Sequence, residues 1–253
     1  CTYYTPEGER PVNIVYSSDD RYAQHLGISM LSLFYHNCDE CSISVYVLDN
    51  SIGEMNKSAL RSIAEKYGRS LCFIPFTDDD VRSLLGDVWT DRSLSTYSRL
   101  FIGRTLPTNV SRALYLDSDT IVVDSLASIY ASDMRGRSVA GVIDPLGERQ
   151  SNILGLGRGI DYVNGGVLLI DVDAWRRADL DNVALSYVHS FEGKRIPYND
   201  QGVLNAILDG GAMRLPPRAN AMTCFWQMSY GQMRSYYGFS TYYSESEIAR
   251  ATA

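Results

Sequence analysis

Arg112-Ala-Leu-Tyr-Leu-Asp117-Ser-Asp119-Thr-Ile-Val-Val123 ends an apolar run, Ala113 to Leu116, in two carboxylates one residue apart. The run reads as a buried strand. Along an extended chain residues i and i+2 point the same way, so Asp117 and Asp119 are expected to aim at one point beyond the strand end. Two carboxylates that close repel unless a positive group sits between them. The simplest candidate is a divalent cation with oxygen ligands, shared with the phosphates of a substrate.

Working outward, strands and helices alternate. Val12 to Tyr16 is a β-rich run ending at Ser17-Ser-Asp19-Asp20. Tyr22, Leu26, Met30 and Phe34 form a helical stripe over residues 22–37. Ile43 to Leu48 is a second strand, Ile52 to Tyr67 a second helix stopped by Gly68, and Leu71 to Phe76 a third strand. This alternation predicts an α/β protein, parallel strands joined by crossover helices. Ligands of such sheets bind beyond the carboxyl ends of the strands. Three of those ends are polar: Ser17 to Asp20, Asp49-Asn50, and Thr77 to Asp80. Turn and cap chemistry is preferred for Asp78 to Asp80. For Asp19, at the end of the first strand, a ligand role weighs equally.

Further along, Ser93 to Leu106 is expected to be helical and carries Arg99, a planar donor suited to phosphate or hydroxyl groups. Ser138 to Ile143 is a strand ended by Asp144. Asn164-Gly165-Gly166 precedes the strand Val167 to Asp171. Paired glycines let backbone approach a ligand, or make a tight turn or bulge. Residues 174–191 form one helix. Asp200 and Gln201 open the helix Gly202 to Leu208, with Asp200 either its N-cap or a site residue. A final helix covers Ser244 to Ala251.

With 253 residues, 45% hydrophobic and 21% charged, the chain can bury a large core as one domain. The net charge of −7 argues against a duplex nucleic-acid partner. No apolar run is long enough to span a membrane. The first ten residues hold no apolar core and are not a signal peptide, and the lack of Met at position 1 suggests a processed or excised piece. Five cysteines form no disulfide framework. Cys38-Asp-Glu-Cys41 is read as loop thiols in preference to a zinc or redox pair, and a reducing, cytoplasmic setting is expected. The sequons at Asn56 and Asn109 carry little weight alone. Walker and dinucleotide loops are missing, as is a calcium loop. No serine-histidine-aspartate arrangement is signalled.

Five blocks in order, Asn13 to Ala23, Thr96-Tyr97-x-Arg99, Leu114 to Asp119, Asn164 to Asp171 and Asn199-Asp200-Gln201, together resemble the family 8 retaining glycosyltransferases. That family includes lipopolysaccharide galactosyl- and glucosyltransferases and the glycogenins. The resemblance runs from about Val12 to Asn220. It implies a nucleotide-sugar-binding GT-A fold, a UDP-galactose or UDP-glucose donor, and Mn²⁺ (or Mg²⁺). The implied acceptor is a glycan, lipid-linked glycan or glycoprotein. Ser17, Asp19 and Tyr22 would hold uridine. In the family an Asn commonly stands where Arg21 is. Ser118 would meet the ribose, and Asp117 and Asp119 the metal. Arg99, Asp144, Asn164, Gly165, Gly166 and Asp200 would contact the donor sugar, and Gln201 would sit near its anomeric carbon. Gln201, Asp200 and Asp144 are therefore the candidate catalytic residues. Retention normally calls for a carboxylate nucleophile, whereas the family is often described as using front-face attack.

The resemblance also implies the layout. Residues 1–11 form an N-terminal extension, 12–220 the catalytic domain, and 221–253 an acceptor-side segment with Trp226, Tyr230, Tyr236 and Tyr237. Family members usually continue with His-x-x-Gly-x-x-Lys-Pro-Trp, supplying a third metal ligand and a diphosphate-gripping Lys. None of His25, His36 and His189 fits that segment, so the chain is expected to stop before it. Bacterial relatives are often membrane-peripheral through a basic tail. Two alternatives stand beside the transferase: a non-catalytic UDP-sugar-binding domain or fragment, and a metal-dependent nucleotidyltransferase.

Overall fold

Among the described residues seven strands, β1 (Val12–Asp19), β2 (Ile43–Asn50), β3 (Ser70–Pro75), β4 (Arg112–Leu116), β5 (Val139–Ile143), β6 (Val163–Asp171) and β7 (Met213–Arg214), form one sheet. Their order is β3-β2-β1-β4-β6-β5-β7. The structure is a computed structural model that describes residues 11–38, 42–86, 93–157, 160–208, 211–237 and 242–252. The expected N-terminal extension, but for Pro11, and the Cys38–Cys41 pair, but for Cys38, lie outside the described residues.

The sheet is mainly parallel, as predicted: β1 pairs in parallel with β2 and β4, β2 with β3, and β5 with β7. β6 is the exception, antiparallel to both β4 and β5. Ile14, Val15 and Tyr16 of central β1 are fully buried, which is why that strand reads as a continuous apolar run. Each such aliphatic side chain contributes about 1.5–3 kcal/mol. The helix Ala23–His36 covers one face with Ala23, Leu26, Met30, Leu33 and Phe34, an i, i+3, i+4 stripe. Tyr22 stands outside it as N-cap, 49% exposed. Among the described residues no helix is long and apolar enough to cross a membrane.

Three expectations change. The helix foreseen over residues 174–191 is two, Val172–Arg177 and Leu180–His189, broken where Asp179 adopts φ 52°. The break turns Asp181 inward to accept the Trp175 Nε1 proton at 2.8 Å, a partner that a fully buried indole needs. Ser93 to Leu106 is a tight 3-10 turn, Leu94–Phe101, followed by the helical turn Ile102–Thr105. The helix carrying Asp200 begins earlier, at Asn199, behind a left-handed Tyr198. Asp200 is thus in its first turn and is not its N-cap.

The bland reading of Asp78 to Asp80 holds. Thr77 and Asp80 make a reciprocal capping box, and Asp78 pairs with Asn50 at 2.8 Å. Asp20 ties the end of β1 to the next βα unit by accepting from Gly53 N and Asn56 Nδ2. These bonds hold its carboxyl below the usual range.

Candidate active site

A cleft of about 1040 Å³ opens at the carboxyl ends of β1 and β4. There the chain order reverses direction across the sheet, the usual ligand position in open α/β folds. Ser17, Asp19, Tyr22, Arg99, Asp117, Ser118, Asp119, Asn164, Gly165, Gly166, Asp200 and Gln201 all line it, together with Arg21. Of the expected site residues only Asp144 does not. It stands one layer behind, accepting from Asn164 Nδ2 at 3.0 Å and Gln201 Nε2 at 3.2 Å through Oδ2, and from Leu146 N at 2.9 Å through Oδ1.

The acidic pair sits on a turn and not on extended strand, because β4 ends at Leu116. Thr120 closes the turn by donating N–H and Oγ1–H to the Asp117 carbonyl at 3.1 and 2.8 Å. Ser118 is folded inward, 5% exposed, and donates Oγ–H to the Ser17 carbonyl at 2.7 Å. The turn is thereby fixed to the end of β1. Asp119 is exposed and makes no side-chain bond among the described residues.

Arg99 organises the floor. Its Nη2 is 2.9 Å from Asp117 Oδ1 and its Nε 2.9 Å from Asp200 Oδ2. Nη1 donates to the Gly165 carbonyl, and the guanidinium lies 4.7 Å from the centre of the Tyr115 ring. The Tyr115 hydroxyl donates to Asp117 Oδ1 at 3.1 Å. Burial alone would weaken the Arg99 charge, but the facing carboxylates of Asp117 and Asp200 hold it above its ordinary pKa. Asp200 is raised: burial outweighs the stabilisation from Arg99, and Asp117 adds repulsion. Burial also pushes the Tyr115 hydroxyl well up, keeping it a proton donor to Asp117.

Asn164, Gly165 and Gly166 lie inside β6. Gly141 pairs with Leu168, whereas Ile143, two residues on, pairs with Val163, five residues back. The three extra residues of β6 bulge toward the cleft, so the bulge and the close backbone approach are the same feature. A Cβ on Gly165 would come within 2.9 Å of Arg99 Nη1. Asn164 Oδ1 accepts from Gly166 N and Asn220 Nδ2, each at 2.9 Å. Gln201 is pinned at both ends of its amide: Oε1 accepts from Gly165 N at 2.9 Å, and Nε2 faces Asp144 and Gln150.

At the rim, Tyr22 stacks tilted on His25 at 5.1 Å, and its N–H donates to Asp19 Oδ1 at 3.0 Å. The other Asp19 oxygen makes no bond among the described residues. Ser17 Oγ donates to the Ser95 carbonyl at 2.9 Å.

Tyr115, Gln150 and Asn220 were not singled out from the sequence. Tyr115 had a signal, its place in β4 two residues before Asp117. Gln150 and Asn220 had none, since folding alone brings them to Gln201 and Asn164.

The donors fit a hard divalent cation. Asp117 Oδ2 is free of the Arg99 and Tyr115 contacts, Asp119 has no side-chain partner among the described residues, and both carboxylates face the cleft. Oxygen donors of this kind suit Mn²⁺ or Mg²⁺, with positions left for phosphate oxygens.

Fold and site define a GT-A glycosyltransferase architecture. The sequence profile of glycosyl transferase family 8 matches residues 13–238, and the chain belongs to that family. It is 28% identical over 213 residues to a putative glycosyltransferase of Haemophilus influenzae, covering 83% of this chain and 63% of that protein. It is 26% identical over 218 residues to the lipopolysaccharide 1,2-glucosyltransferase of Escherichia coli K12, covering 83% and 62%. The chain thus spans less than two thirds of both relatives. In fold it is similar to the galactosyltransferase LgtC, solved with donor and acceptor sugar analogs, with TM-score 0.76, 24% identity and 95% of each chain covered.

Proposed function

We propose that the chain transfers a hexose, galactose or glucose, from a UDP-sugar to a glycan, lipid-linked glycan or glycoprotein acceptor with retention at the anomeric carbon. The observation that carries this is the charge layout of the cleft. Arg99 is already engaged by Asp117 and Asp200, while Asp119 and the outer oxygen of Asp117 face the opening with no Lys or Arg partner among the described residues. Asp117 and Asp119 would hold Mn²⁺ or Mg²⁺. When bound, such an ion supplies Lewis-acid stabilisation of the charge gathering on a diphosphate leaving group.

The remaining roles follow from position. Tyr22, half-exposed at the rim, offers its ring to the uracil base, and the free Asp19 oxygen can accept from base or ribose. Arg99 orients Asp117 and Asp200, while Asn164 and Gln201, locked by Asp144 and the glycine backbone, present preorganised dipoles to the donor sugar. Asp200 is ion-paired and buried, and Asp144 accepts three hydrogen bonds behind the wall. Neither is a free carboxylate nucleophile. This favours attack by the acceptor from the leaving-group face over a covalent glycosyl intermediate. A cytoplasmic setting is part of the proposal.

The test is incubation with Mn²⁺ and UDP-galactose or UDP-glucose. Slow UDP release is expected, suppressed in Asp119→Ala. Absence of both hydrolysis and UDP binding contradicts the proposal.

A further inference from the structure

A second depression of about 410 Å³ lies beside the cleft, lined by Glu148, Arg149, Asn152, Ile153 and Tyr237. Ile153 lines both spaces. The helix Gly147–Leu154 is the wall between them. Its buried positions Gly147, Gln150 and Ser151 face inward, where Gln150 approaches Gln201 at 3.4 Å. Glu148, Arg149, Asn152 and Ile153 follow i, i+1, i+4, i+5 spacing and share the opposite face. Ile153 keeps 52% of its surface exposed. Tyr237 closes the far side, its ring held edge-on by Tyr236 at 4.7 Å.

Resting on the transferase reading above, we propose that this groove is a distal acceptor subsite, holding the second sugar of a neutral oligosaccharide whose first sugar enters the cleft. Tyr237 and Ile153 offer apolar surfaces that suit the C–H face of a pyranose. Glu148, Arg149 and Asn152 end in planar groups that hydrogen-bond adjacent hydroxyls in pairs. The charges of Glu148 and Arg149 cancel, which suits a neutral sugar. Because Ile153 belongs to both spaces, one glycosidic linkage can pass over it.

The test uses Mn²⁺, the UDP-sugar that the protein hydrolyses, and glucose, galactose, lactose, maltose and cellobiose as acceptors, reading acceptor-stimulated UDP release. At least one disaccharide is expected to show a KM about tenfold below that of its terminal monosaccharide. Tyr237→Ala, and independently Asn152→Trp, which fills the groove from an exposed helix face, should abolish that advantage. Donor hydrolysis without acceptor and the monosaccharide KM should not move. Equal KM values for mono- and disaccharides, no stimulation by any of the five, or an advantage that survives both substitutions overturns the assignment. Loss of donor hydrolysis in the unsubstituted protein counts against the transferase reading itself.

Discussion

Arg99 Nη2 lies 2.9 Å from Asp117 Oδ1, and the same guanidinium reaches Asp200 through Nε at 2.9 Å. Arg99 and Asp200 are 7% and 8% exposed while Asp117 keeps 34%, so one buried cation pairs a buried carboxylate with one that reaches the cleft. Removing it leaves both without a counter-charge. Arg99→Met is expected to destabilise the fold by about 3–5 kcal/mol, measured by urea denaturation. Arg99→Lys keeps the charge but not the fork and should fall between. An Arg99→Met protein as stable as the parent would show that the pair is not what fixes Asp117.

Gln201 carries no charge, yet both ends of its amide are held, by Gly165 N and by Asp144. Gln201→Ala should lower turnover about 100-fold through loss of a fixed dipole near the reacting centre. UDP affinity should stay as it was. Steady-state kinetics with calorimetry separates the two, and an equal loss in both would move Gln201 from the chemistry to donor binding.

Gly202 sits where the chain turns into its helix through left-handed Tyr198 (φ 63°) and Asn199 (φ 51°). A Cβ there would lie 2.0 Å from the Pro197 carbonyl oxygen. Backbone must shift to admit it, at a cost of about 1–3 kcal/mol. Gly202→Ala is therefore expected to lower the melting temperature and, because Asp200 and Gln201 ride on that turn, the turnover too. Unchanged activity would show that the turn tolerates displacement.

Cys224 is half-buried, and burial, with Asp144 nearby, pushes its thiol from 9.0 up to about 11. A raised pKa means less thiolate at any pH below it. At pH 8 its alkylation by iodoacetamide should run about 100-fold slower than that of an unperturbed cysteine, and the rate should still be climbing toward pH 11. Peptide mapping of the alkylated protein reads this, and rapid labelling at pH 8 contradicts it.

Much of this layout was legible because its signals are local. The apolar runs of β1 and β4 and their polar ends named the cleft edge directly. Asp117 and Asp119 both line the cleft, from a turn that Thr120 closes and not through the strand alternation expected. What escaped reading depends on distant partners. β6 runs antiparallel because it fits between β4 and β5, which no residue of Val163 to Asp171 announces, whereas its bulge was signalled by Gly165 and Gly166. Asp200 looked like a cap because its partner, Arg99, lies 101 residues away in sequence. The break at Asp179 follows from the needs of buried Trp175, which periodicity does not register.

The most direct measurement is UDP binding by calorimetry, with Mn²⁺ and with EDTA, for the parent and Asp119→Ala. Asp119 has no side-chain partner among the described residues, so its removal should leave the melting temperature unchanged. UDP should bind the parent at least about 100-fold tighter with Mn²⁺ than with EDTA, and Asp119→Ala should lose that gain. Equal affinity in Mn²⁺ and EDTA, or a gain that Asp119→Ala retains, would contradict a cation held by the Asp117–Asp119 turn.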